Sequence, residues 1–186
     1  YASRGLGDVY KRQEDGTLYT KEEPTDLSAT CYDCGLCLFV DGARMAYGLA
    51  SEANDLNLQD YANLCDVFYL GGTKCGALFG EAVIINNPDL DQDFRYAIKQ
   101  NGGMLAKGRL LGLQFLALFE DDLYYDICRA ANEQAYRIAA ACKEAGFPFF
   151  AASPTNQQFP IFPNRLLDRL KEKYVYSTWA KVDEGH

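Results

Sequence analysis

The chain has a single histidine, His186, and it is the last residue. A cysteine nucleophile with an imidazole base inside the chain is therefore excluded, and Cys75 reads as a packed or tuning residue. No apolar run approaches the roughly 20 residues that a membrane-crossing helix needs. The opening Tyr1-Ala2-Ser3-Arg4-Gly5-Leu6-Gly7 holds no apolar stretch of signal-peptide length, so the default location is the cytoplasm. Positive charge is in deficit. Eighteen Lys and Arg stand against 26 Asp and Glu, a formal net charge of −8, which argues against a protein that coats nucleic acid. Two phosphate-binding patterns are missing as well. Gly71-Gly72-Thr73-Lys74-Cys75-Gly76 lacks the Gly-x4-Gly-Lys-Ser/Thr spacing of a P-loop, and no Gly-x-Gly-x2-Gly follows a strand, so a dinucleotide fold is disfavoured.

Disulfides and metals fare no better. Seven cysteines is an odd number, a poor framework for paired bridges in a chain with ordinary apolar content. Cys31, Cys34 and Cys37 form a C-x2-C-x2-C run, but no fourth cysteine follows at the offset of an iron–sulfur site, and no metal is expected. What remains is an apolar chain of 186 residues, 48% hydrophobic, large enough for one domain and part of another.

The apolar patterning alternates between helix and strand, as in an α/β protein. Thr20-Lys21-Glu22-Glu23 fits a capping box that opens a helix running through Leu27 and Cys31, with Gly35 as its left-handed stop. Strands are predicted at 36–40, 65–70 and 76–85, with a short helix over 56–64 between the first two. Residues 45–49 are weakly helical and broken by glycine. Helices follow over 91–100, 105–119 and 122–145. Gly108 and Gly112 lie on one face and suit close backbone packing. In the longest helix Leu123, Ile127, Ala130, Ala131, Gln134, Ile138 and Cys142 recur at helical spacing, and Ile127, Ala131, Ile138 and Cys142 are expected to pack on downstream strands. Further strands are predicted at 147–151 and 175–179, and a helix capped by Asn164 over 165–173. A domain change is expected between 116 and 124, from an α/β unit to a smaller α+β unit.

Two apolar runs end in chemistry. Leu38-Phe39-Val40 leads into Asp41-Gly42-Ala43-Arg44, and Tyr69-Leu70 leads into Gly71-Gly72-Thr73-Lys74. Ligands in α/β proteins collect at such strand ends. Taken singly, Lys74 reads equally as a solvated loop residue, Asp41 as a turn residue or helix cap, Arg44 as a surface ion-pair residue and Thr73 as a loop hydroxyl. Taken together, a lysine and an aspartate thirty-three residues apart, with room for a helix and a strand between them, suit pyridoxal phosphate. The amine forms a Schiff base and the carboxylate pairs with the pyridine nitrogen. The guanidinium fork of Arg44 suits a carboxylate.

These two segments, with Gly16-Thr17-Leu18-Tyr19, Gly80-Glu81-Ala82-Val83, Gly102-Gly103-Met104 and Ser153-Pro154-Thr155-Asn156, make the chain resemble the low-specificity threonine aldolases of the aromatic amino acid beta-eliminating lyase superfamily. The resemblance implies a type I, aspartate-aminotransferase-like pyridoxal phosphate fold. On that basis 14–120 is the later part of the cofactor-binding large domain and 121–186 is part of a small α+β domain. It implies Lys74 as the Schiff-base lysine, Asp41 as partner of the ring nitrogen, Arg44 as the arginine beside the cofactor that helps hold the substrate carboxylate, and a cofactor contact for Thr73. The implied reaction is retro-aldol cleavage of L-threonine or L-allo-threonine, a small beta-hydroxy amino acid, to glycine and acetaldehyde in a homodimer or homotetramer. Beta-elimination and transamination share the lysine and aspartate. Family members are near twice this length, and their phosphate cradle, ring-stacking imidazole and second carboxylate arginine have no counterpart here. Residues 1–13 are unlike the family and resemble translated sequencing-adaptor sequence. The chain is therefore expected to be an internal fragment with a foreign head, one that need not itself be catalytic.

Overall fold

The computed structural model describes residues 16–183. The head segment 1–13 and His186 lie outside the described residues. A three-stranded sheet of order β1-β2-β3 holds the centre, formed by β1 (Phe39–Val40), β2 (Val67–Gly71) and β3 (Glu81–Ile85). β1 runs parallel to β2, and β3 returns antiparallel with Gly71 opposite Glu81.

The helix before the sheet, α1 (Glu22–Asp33), starts with half a capping box: the Thr20 N–H donates to the Glu23 carboxylate at 2.9 Å. Pro24 sits in the first turn, where its missing N–H costs nothing. Gly35, at φ 63, stops the helix, and its N–H and that of Leu36 close onto the Tyr32 and Cys31 carbonyls, the paired bonds of a Schellman cap. α2 (Met45–Leu49) and α3 (Leu58–Leu64) bridge β1 and β2; Asn57 and Asp60 form a full capping box on α3.

β1 is shorter than the sequence predicts, because Leu38 gives its N–H to the Asp66 carboxylate at 2.7 Å instead of to a neighbouring strand. Leu38 itself is buried beside Val40, Met45, Phe68 and Leu70. Each such side chain is worth about 1.5–3 kcal/mol in burial. β3 starts five residues late. Gly76 and Gly80 have φ of 110 and 96, and the Leu78 amide bonds to the Gln114 side chain, so 72–80 is a hairpin loop.

After β3 come α4 (Phe94–Gln100), α5 (Arg109–Phe119), α6 (Leu123–Glu144) and α7 (Asn164–Leu170). The chain kinks at Glu120–Asp122, where Asp121 and Asp122 take left-handed φ of 51 and 61. The buried stripe of α6 is Tyr124, Cys128, Asn132 and Ala139, against α2 and α5. Ile127 and Ala131 flank that core, but Ile138 is 63% exposed, so it does not pack on downstream strands as expected. Gly112 faces open space and serves no close helix packing.

Two predicted strands do not form. Pairing at 147–151 shrinks to one bridge, Phe149 with Pro160, since Pro148 and Pro160 both lack the N–H that would extend it. Residues 175–179 have no ladder partner among the described residues. Asn164 is the first helical residue of α7, not its cap. No helix among the described residues is long and apolar enough to cross a membrane.

Candidate active site

The parallel pairing of β1 and β2 puts Asp41 and the Gly71–Lys74 segment at neighbouring carboxyl ends of the sheet. Two glycines let the ends close together. A Cβ on Gly42 would stand 1.7 Å from the Tyr69 carbonyl oxygen, and one on Gly71 would stand 2.2 Å from that of Ala43. With no side chain in the way, the Gly71 N–H reaches the Gly42 carbonyl at 3.0 Å. The Asp41 carboxylate is oriented by the Ala43 N–H at 3.0 Å and by the Tyr69 hydroxyl.

Lys74 and Thr73 are exposed on the hairpin loop, while the backbone beneath them is clamped from the protein side. The Tyr47 hydroxyl donates to the Lys74 carbonyl, the Tyr124 hydroxyl to the Gly71 carbonyl at 2.8 Å, and the Gly72 N–H donates to the Glu81 carboxylate at 3.0 Å. Tyr47 is held in turn by Asn132, whose side-chain amide donates to the Tyr47 carbonyl at 2.9 Å. Burial pushes the Tyr47 phenol up to about 12, with Arg44 pulling against it. Cys75 is wholly buried against Cys128 and Tyr124, as its lack of a base implied. The hydrogen bond to Cys75 and burial both push the Cys128 thiol up.

Arg44 immediately precedes α2 and lines a cavity of about 50 Å³ with Tyr19, Tyr61, Thr155 and Asn156. Two distant segments meet there. The Ser153 hydroxyl donates to the Gly16 carbonyl at 2.8 Å, with Thr155 beside it at 3.3 Å. Gly16 is at φ +70, and a Cβ on it would be 2.3 Å from Ser153 Oγ, so glycine is required for that contact. The Oδ1 of Asn156 is buried without a hydrogen-bond partner among the described residues.

The structure thus brings Asp41 and the Thr73–Lys74 loop to neighbouring strand ends, ties Glu81 to the Gly72 N–H at the base of that loop, and sets Arg44 with Tyr47 in the wall of one cavity. Sequence reasoning missed Tyr47, Tyr69, Glu81, Tyr124 and Asn132 as supports. Tyr69 had a usable signal: Phe68 and Leu70 are buried, so the period-two alternation of β2 turns Tyr69 to the other face.

Residues 12–163 match the beta-eliminating lyase family. The chain belongs to that family. It is 36% identical over 168 residues to a low specificity L-threonine aldolase of Pseudomonas aeruginosa, covering 90% of this chain and 46% of that protein. A second low specificity L-threonine aldolase, from a Pseudomonas species, is 34% identical over 132 residues, covering 71% of this chain and 38% of the relative. A solved threonine aldolase of Leishmania major superposes with a TM-score of 0.93 at 42% identity, covering 97% of this chain and 53% of that one. The chain therefore spans about half the length of the relatives it matches, and its fold is the type I pyridoxal phosphate fold.

Proposed function

We propose that the chain is the lysine-bearing part of a pyridoxal phosphate-dependent aldehyde-lyase that cleaves L-threonine and L-allo-threonine to glycine and acetaldehyde. The observation that carries the reading is the closure of two parallel strand ends that puts Asp41 beside the Lys74 loop. The donor set fits the cofactor: an amine on an exposed loop, a carboxylate locked by two donors, and a guanidinium at a cavity.

When bound, pyridoxal phosphate supplies an electron sink for the charge released as the bond beside the amino acid's α-carbon breaks. The chain's own residues supply hold and orientation. Lys74 Nζ is the attachment point. Asp41 keeps a proton on the ring nitrogen, and the Ala43 N–H and Tyr69 hydroxyl prevent its carboxylate from rotating away. Arg44 grips the substrate carboxylate through its planar fork. Thr73 offers a hydroxyl to the phosphate or the ring. The Tyr47 and Tyr124 clamps keep the lysine loop from drifting when substrate arrives.

Activity is proposed for the whole protein, assembled as a homodimer or homotetramer. A domain change near residue 120, between 14–120 and 121–186, belongs to the same proposal and is supported by the kink at Glu120–Asp122. The test is product analysis with the whole protein: acetaldehyde and glycine from L-allo-threonine support the reading. Pyruvate or a keto acid as the product would replace it with beta-elimination or transamination.

A further inference from the structure

The loop that carries Lys74 is the connection of a β-hairpin, and Glu81 stands at its base. Glu81 opens β3 directly opposite Gly71, the last residue of β2. Its carboxylate does not stay on that pair. It reaches along the hairpin to accept the Gly72 N–H at 3.0 Å. The side chain is largely exposed, yet its oxygens fold back onto the loop.

The approach is close enough that no larger residue fits at Gly72. A Cβ there would stand 2.6 Å from the Gly80 carbonyl oxygen and 2.9 Å from the Phe115 ring. The two ends of the loop therefore touch just where the carboxylate bridges them. Lys74, two residues beyond Gly72, lies within electrostatic reach of Glu81, as does Asp41 from the other strand end. Together with the Tyr47 and Tyr124 hydroxyls, Glu81 makes the third side-chain tie on the segment 71–74. It is also the only one of the three that binds a donor, where the tyrosines bind carbonyls.

We propose that Glu81 is a positioning residue for Lys74: by accepting the Gly72 amide at the base of the hairpin loop, its carboxylate sets the conformation in which the loop presents the lysine to the cofactor. The inference rests on the role proposed for Lys74. Burial raises the Glu81 carboxyl from its ordinary value, while the Gly72 amide and Lys74 oppose the rise, consistent with an acid drawn onto the loop. The work falls to hydrogen-bond acceptance, so an amide oxygen at this position replaces it and a methyl group does not.

Three forms of the chain test this: the parent, Glu81→Gln and Glu81→Ala. Hydrogen exchange of the peptide covering 71–75, read without cofactor, should be at least about tenfold faster in Glu81→Ala and within about threefold of the parent in Glu81→Gln. Exchange of the α6 peptides should be the same in all three, which separates a local effect from unfolding. With pyridoxal phosphate added and borohydride used to fix it, labelling of Lys74 should slow in Glu81→Ala and recover in Glu81→Gln, with other lysines unaffected. Parent-like exchange in Glu81→Ala, or a Glu81→Gln chain as loose as Glu81→Ala, would overturn the proposal. Failure of the parent to label at Lys74 would instead sink the proposed function, while the exchange comparison still decides whether Glu81 sets the loop.

Discussion

The Tyr47 hydroxyl donates a hydrogen bond of 2.5 Å to the carbonyl oxygen of Lys74. Tyr47 belongs to the short helix that follows Asp41-Gly42-Ala43-Arg44, and Lys74 belongs to the loop after the neighbouring strand. One bond therefore couples the aspartate–arginine segment to the lysine segment. Removing the hydroxyl with Tyr47→Phe leaves a carbonyl short of its donor, at a cost of about 1–3 kcal/mol. Chemical denaturation should show that loss, and exchange of the 71–75 amides should rise more than exchange of α1. A stability unchanged from the parent would show that the bond contributes nothing.

The closure of the strand ends depends on Gly42. A methyl group there would overlap the Tyr69 carbonyl oxygen at 1.7 Å, a backbone atom that cannot swing aside. Gly42→Ala is expected to cost about 3 kcal/mol or more, at the severe end of single substitutions. Gly112→Ala, which meets open space in the helix interior, should be neutral or stabilising by up to about 1 kcal/mol. The two thermal midpoints should move in opposite directions or differ widely; equal shifts would contradict the packing at Gly42.

Much of this arrangement is legible in the sequence. Asp41 and Lys74 stand at strand ends because Leu38-Phe39-Val40 and Val67-Phe68-Tyr69-Leu70 are apolar runs that break off at Asp41-Gly42 and Gly71-Gly72, and a strand reading needs nothing else. Gly35 as a helix stop is legible for the same local reason. The supports are not. Asn132 is polar and stands outside the apolar stripe of the long helix, yet it is 2% exposed because the Tyr47 carbonyl takes its amide. Tyr124 likewise lies one position off the apolar series that begins at Leu123. The shortening of β1 depends on Asp66, 28 residues downstream of Leu38, taking an amide from the ladder. Such long-range polar contacts leave no periodic trace, whereas burial of apolar side chains does.

Thiol accessibility checks the packing around the site. Cys34 is exposed and Cys37 and Cys142 are half-buried, whereas Cys31, Cys65, Cys75 and Cys128 are buried. An aromatic disulfide reagent should consume Cys34 first, Cys37 and Cys142 slowly, and the other four only after denaturation. Rapid labelling of Cys75 or Cys128 in the folded chain would contradict the core beneath the lysine loop.

Alkaline pH should loosen the same region. Burial raises the Tyr47 and Tyr61 phenols from 10.0 to about 12. A group whose folded value is raised contributes stability that is complete below its unfolded value and is lost as pH passes the folded one. Stability should thus hold below pH 10 and decline from there through about 12. Tyrosinate absorbance followed beside far-ultraviolet circular dichroism should show these phenols ionising late and together with unfolding. Ionisation of both near 10 with the fold intact would contradict their burial.

The outer side of the hairpin and α5 exposes apolar side chains, with Leu78 at 86%, Leu116 at 67% and Leu113 at 52%. Exposed apolar surface of this kind drives association. Light scattering should show mass rising with concentration, and Leu113→Lys with Leu116→Lys should reduce the effect. A strict monomer at all concentrations would contradict it.

The most direct test of the central claim is covalent trapping on the chain itself. Pyridoxal phosphate is added, borohydride fixes any imine, and peptide mass spectrometry locates the label, with Lys74→Ala as the control. The account predicts a label concentrated on Lys74, accompanied by a visible absorbance band before reduction that the Lys74→Ala chain lacks. A label spread over the exposed lysines, with the same band in Lys74→Ala, would contradict it.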